Sequence, residues 1–183
     1  MRTAAAILLF AASGALADAG RSFDLKSGTV TYTAVHPAHA VKGTTKKLEG
    51  RAVLLADGSA KVQVRAPIAS FDSGNSNRDA HMREATHELV HPNVTVKGKL
   101  EGLTLPLSGP VEKTLQGVVE MNGQKLLVPI PATLSPEGQG IRVRFSFPIS
   151  LDALKIERPQ LLLIKVSDKV QLEGDLLFEE SPK

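Results

Sequence analysis

Polar and apolar residues alternate with a period of two along most of the chain, the pattern of half-buried β-strands. Thr29-Val30-Thr31-Tyr32-Thr33-Ala34 puts Val30, Tyr32 and Ala34 on one face and three threonines on the other. Lys61–Ala66, Asn93–Lys97 and Ile141–Phe147 repeat the pattern with charged or amide residues on the wet side. Lys169–Glu173 alternates as well, followed by Asp175–Phe178, and Gly50–Leu55, Leu115–Met121 and Gln124–Ile130 are further strand candidates. Asp57-Gly58, Asn122-Gly123 and Pro136-Glu137-Gly138 separate them as turns. Asn122-Gly123, between two apolar runs, is the strongest hairpin signal in the chain. One wet and one dry face per strand implies an antiparallel sheet. About eight such strands in one domain build a sandwich or a closed barrel, and the periodicity fits both.

One segment departs from this period. Ser73-Gly74-Asn75 is a turn, and Ser76-Asn77-Arg78-Asp79 fits a capping box. A short helix is predicted over about 77–89, closed by Pro92, which disfavours helical geometry at His91.

The N-terminus has a different pattern. Met1-Arg2-Thr3 carries one positive charge, Ala4–Ala12 is apolar, and Ala15-Leu16-Ala17 is a small-x-small cleavage site. The run is too short to span a bilayer and reads as a secretory signal cleaved after Ala17. The expected organisation is a signal peptide at 1–17 and one domain at 18–183, delivered to the periplasm or secreted. No stable membrane insertion is expected after cleavage. Losing Arg2 lowers the formal charge from +3 to +2.

Composition narrows the chemistry. The chain has 183 residues, 42% hydrophobic and 22% charged, which excludes disorder and a multi-span membrane protein. A charge this small excludes a polybasic nucleic-acid binder. The absence of cysteine excludes disulfides, thiolate metal sites and thiol nucleophiles. Six Phe, one Tyr and no Trp offer no stacking platform for bases.

His87-Glu88-Leu89-Val90-His91 is a literal H-E-x-x-H, which on a helix would hold zinc with Glu88 as base. His91 precedes Pro92, however, and Val94 and Lys97 stand where the extended zinc-protease pattern needs Gly and His. A zinc-dependent hydrolase is therefore kept as an alternative. His36 and His39 flank Pro37, and Lys42, Lys46, Lys47 and Arg51 form a basic cluster interrupted by Glu49. Solvated loop and hairpin positions account for both groups. No nucleophile elbow, phosphate loop or dinucleotide fingerprint occurs, so no catalytic residue, metal ligand or cofactor is assigned.

The dry faces remain. Val30, Tyr32, Val62, Val64, Ile68, Val94, Val96, Val143, Phe145, Phe147 and Leu172, with Ile141, Val170 and Phe178, would line the inside of a barrel. Such an interior is either a packed core or a cavity for one slender apolar ligand. Its mostly aliphatic side chains suit a flexible hydrocarbon better than a flat aromatic.

Four ordered blocks resemble the YceI-like family of exported lipid-binding proteins. They are the Tyr32–His36 strand leading to Val41-Lys42-Gly43, the stretch Ile68–Met82 with Ser70-Phe71-Asp72-Ser73-Gly74 and Arg78-Asp79-Ala80-His81-Met82, the strand His91–Val96, and Ile149–Val170. His91 stands where the family often has Tyr, and Val96 where it often has Phe. The resemblance implies a single extended antiparallel β-barrel, lipocalin-like, with one short helix and an elongated apolar cavity. It also implies a polyisoprenoid or other long-chain lipid as partner. The resulting expectation is a non-catalytic binding protein that sequesters such a lipid, with His36, Lys42, Arg78 and His81 meeting a polar head group. Arg78 and Asp79 equally suit fastening their loop to the barrel. A homodimer is compatible with the sequence, and a protein-interaction barrel with a filled core is a further alternative.

Overall fold

A computed structural model describes residues 20–36, 39–158, 160–161 and 164–182. The signal segment 1–17 lies outside the described residues, as does the side chain of His39. The strands are β1 (Arg21–His36), β2 (His39–Thr45), β3 (Glu49–Leu54), β4 (Ala60–Pro67), β5 (Asn93–Leu100), β6 (Val111–Met121), β7 (Gln124–Glu137), β8 (Gly140–Ser150), β9 (Gln160–Leu161), β10 (Ile164–Lys165) and β11 (Lys169–Glu180). One helix, α1 (Ser76–Ala85), lies between β4 and β5, after a single 3-10 turn at Ile68–Ser70.

The strands pair antiparallel in the order β1, β3, β4, β5, β6, β7, β8, β11, and β11 returns to β1. The result is the closed eight-stranded barrel that alternation alone could not separate from a sandwich. The closing seam runs from Phe23–Glu180 to Ala34–Val170, with one register shift between Leu25 and Ser27. Closure removes the exposed edges that an open sheet presents to other chains. Strand β2 folds back along the second half of β1, while β3 pairs with its first four residues. Together they act as one strand interrupted at 46–48. The outer edge of β2 is met by a single bridge, Thr44 to Asp72.

The barrel strands send most of their apolar residues inward and most of their charges out, with Leu127 an exposed exception. Three buried clusters fill the inner wall, centred on Val119, Phe147 and Leu154, on Leu100, Ala132 and Leu134, and on Phe23, Leu176 and Phe178. Outside, Arg142 reaches Glu137 and Asp175, and Arg144 reaches Asp175. Such exposed pairs contribute little to stability one by one.

Close approach requires glycine at two ladder positions. A Cβ on Gly174 would lie 2.1 Å from the Phe145 ring, and one on Gly43 would lie 2.4 Å from the Tyr32 ring. In each pair the ring covers the bare backbone of its cross-strand partner. Gly174→Ala is expected to drive Phe145 off this position and to cost about 1–3 kcal/mol, read as a lower denaturation midpoint.

The helix differs from its sequence expectation at both ends. Its cap is Asn75, whose side chain accepts from Arg78 N, not Ser76. Asp79 instead accepts from Ser73 N at 3.1 Å, outside any capping box. The helix stops at Ala85, four residues before the expected Leu89, and Pro92 is not the cause. His87 adopts φ of 50°, with His87 N bonded to Glu84 O and Glu88 N to Arg83 O. This is a Schellman ending, with histidine at the left-handed position that glycine usually occupies.

Candidate functional site

The inward faces do not meet at the barrel axis. They enclose a cavity of about 530 Å³ that extends from the helix end to the opposite, loop end. At the helix end it is bounded by Ile68, Phe71, Met82, Ala85 and Ile156, and at the loop end by Phe23, Leu103, Leu134 and Phe178. The interior is therefore not a filled core. That volume lies in the range of ordinary small-ligand sites, and its wall is almost wholly hydrocarbon.

All eleven apolar residues read from the alternation face this cavity: Val30, Tyr32, Val62, Val64, Ile68, Val94, Val96, Val143, Phe145, Phe147 and Leu172. Of the four polar residues placed at its mouth, His36, Arg78 and His81 line it at the helix end. Lys42 does not. It lies between Val41, which lines the cavity, and Gly43, which packs under Tyr32, so strand alternation turns its exposed side chain outward.

His36 is buried at the end of β1, whereas Arg78 and His81 are exposed on α1. Arg78 donates to the Ser73 carbonyl at 3.0 Å while Asp79 holds Ser73 N, so the two residues do fasten their loop. Tyr32 is half-buried beneath them. Burial, and then the charge of Asp79, raise its phenol above the usual range, with Arg78 opposing. It is thus a neutral hydroxyl at physiological pH.

Several lining residues escaped the sequence reading. Met82 and Ala85 lie on α1 and Phe71 in the loop before it, where period-two alternation gives no face. Leu115, Met121 and Ile130 lie in runs with apolar residues on both faces, which leaves the inward set undefined. Lys113 is the least expected, a cation among inward-facing positions of β6. No carboxylate occurs among the described lining residues.

The helix end is closed by a polar network. Asn122 donates to the carbonyls of Leu154 and Lys155, both at 3.0 Å, and its oxygen lies 2.8 Å from His87 Nδ1. The adjoining turn is tied by Asp168, whose Oδ1 accepts from Asp152 N at 2.8 Å and from Ser150 Oγ at 2.9 Å. The bond from Asp152 N is the main cause of a carboxyl held below its usual range; burial opposes it, and Ser150 adds to it. A depressed folded-state value stabilises the fold above the ordinary carboxylate range, and the contribution is lost as pH falls through that value. Asp168→Asn is expected to cost about 1 kcal/mol at neutral pH and to flatten the acid side of a stability–pH profile.

His87 thus serves as a helix terminus and a partner of Asn122. His91 lies beyond the following turn, where a Cβ on Gly123 would be 2.9 Å from its ring. The two imidazoles share no helical face, so the zinc-protease geometry suggested by H-E-x-x-H is not formed.

The sequence signature of the YceI-like domain matches residues 22–178. The chain belongs to the YceI-like family. Solved structures share its fold. A polyisoprenoid binding domain from Saccharophagus degradans, implicated in plant cell wall breakdown, superposes with a TM-score of 0.71 at 14% identity, covering 87% of this chain and 98% of that one. Burkholderia cenocepacia BcnA gives 0.68 at 18% identity, covering 82% and 95%. The Campylobacter jejuni YceI protein gives 0.52 at 15%, covering 100% and 94%. No curated protein matches the sequence significantly.

Proposed function

We propose that this YceI-like protein is an exported, non-catalytic binding protein that sequesters an isoprenoid or other long apolar lipid in its barrel. The observation that carries the reading is the continuous cavity of about 530 Å³, whose wall is almost wholly apolar, Lys113 being the one charged strand residue among its described lining. Burial supplies the affinity, since each methylene removed from water contributes about 0.8 kcal/mol. A long chain therefore needs few polar anchors, and His36, Arg78 and His81 at the helix end suit a head group.

The polar-outside, apolar-inside pattern is the reverse of a membrane-spanning barrel and suits a water-soluble one. The N-terminal charge, short apolar run and Ala15-Leu16-Ala17 support export to the periplasm or secretion. A polyisoprenoid binding domain among the solved structures of the same fold supports the ligand class. The test is organic extraction of protein purified from its native compartment, followed by mass spectrometry. A stoichiometric lipid of defined mass is expected, and repeated recovery of lipid-free protein would overturn the reading.

A further inference from the structure

The cavity has a second polar end. Along β6 the residues Glu112, Thr114 and Gln116 are exposed, while Lys113 and Leu115 alternate inward with Gly117 and Val119. Lys113 lines the cavity at the end opposite α1, next to Leu103, Ala132 and Leu134. Its cross-strand partner is Ala132, a small side chain that leaves the ammonium room.

Among the described residues its one hydrogen-bond partner is the Gly102 carbonyl, 2.5 Å from Nζ, and no carboxylate pairs with it. An ammonium carries three donors, so two remain to be satisfied. That bond is solvent-exposed, so the ammonium sits at the rim of the cavity with donors free to meet a ligand. All the other polar lining residues named above lie at the helix end. The tube therefore has Arg78 at one end and Lys113 at the other, with hydrocarbon between them.

We infer that Lys113 is a second polar subsite, which receives a carboxylate or other anionic terminus of an extended aliphatic ligand. The inference rests on the lipid-binding reading and narrows its ligand class to chains polar at the loop end, including chains polar at both ends. From Lys113 to Met121 the strand rises roughly 26 Å, the span of a long extended chain.

The test uses delipidated full-length mature protein and three probes of one chain length: icosan-1-ol, icosanoic acid and icosanedioic acid. In the wild type the diacid is expected to bind about tenfold tighter than the monoacid, the effect of one charge-assisted pair. Lys113→Met is expected to abolish or reverse that preference, read as the ratio of diacid to monoacid affinity, and Lys113→Arg is expected to restore it. If Lys113 only anchors the Gly102 loop, Lys113→Met lowers the melting temperature and leaves the diacid-to-monoacid ratio unchanged. That result overturns the subsite and spares the lipid-binding reading. Failure of the wild type to bind icosan-1-ol would overturn both.

Discussion

Asn122→Ala is expected to destabilise the barrel by about 2–4 kcal/mol. Asn122 is 7% exposed and links three elements: the β6–β7 hairpin that contains it, the 151–156 turn through Leu154 O and Lys155 O, and the end of α1 through His87. Alanine leaves the buried Leu154 carbonyl without its partner, at about 1–3 kcal/mol, while the exposed Lys155 and His87 groups can turn to water at lower cost. It also puts a Cβ-bearing residue without a local hydrogen bond at φ of 50°. Asn122→Gly relieves the backbone cost alone, so in urea unfolding it should recover part of the loss and no more. Equal stability of Asn122→Ala and the wild type would show that the network is incidental.

Val64→Trp is expected to weaken uptake of a long-chain lipid by about a hundredfold. Val64 faces the cavity from β4, directly across the ladder from Val96. An indole there occupies space that about four methylenes would fill, and their burial is worth roughly 3 kcal/mol, or about two orders of magnitude in affinity. The protein should still fold, at a cost of about 1–3 kcal/mol for overpacking. Gln63→Trp, one residue away on the exposed face, is the control and should leave uptake unchanged. If both variants bind as the wild type does, the hydrocarbon does not lie in the barrel.

These two positions also show what the sequence made legible. Val64 could be assigned to the interior from alternation alone, because Gln63 and Arg65 mark the wet face on either side. The same logic assigns the eleven apolar wall residues, and it turns Lys42 outward, because Val41 and Gly43 on either side take the inward face. The role of Asn122 was not legible. Its hairpin was, from Asn122-Gly123, but its hydrogen bonds go to residues 32 and 33 positions away, and no local pattern encodes them. The helix end failed for a related reason. Histidine holds a left-handed terminus that glycine would have announced, and it does so beside a side chain from the distant hairpin. Lys113 precedes the strand expected at Leu115–Met121, so alternation assigns it no face; β6 in fact starts at Val111.

The central claim, that the barrel encloses a lipid, is tested most directly by native mass spectrometry of the delipidated protein mixed with a long-chain isoprenoid alcohol. One adduct of that mass per wild-type chain, and none on Val64→Trp, is the expected result. Equal adduct formation on both proteins, or none on either, would contradict it.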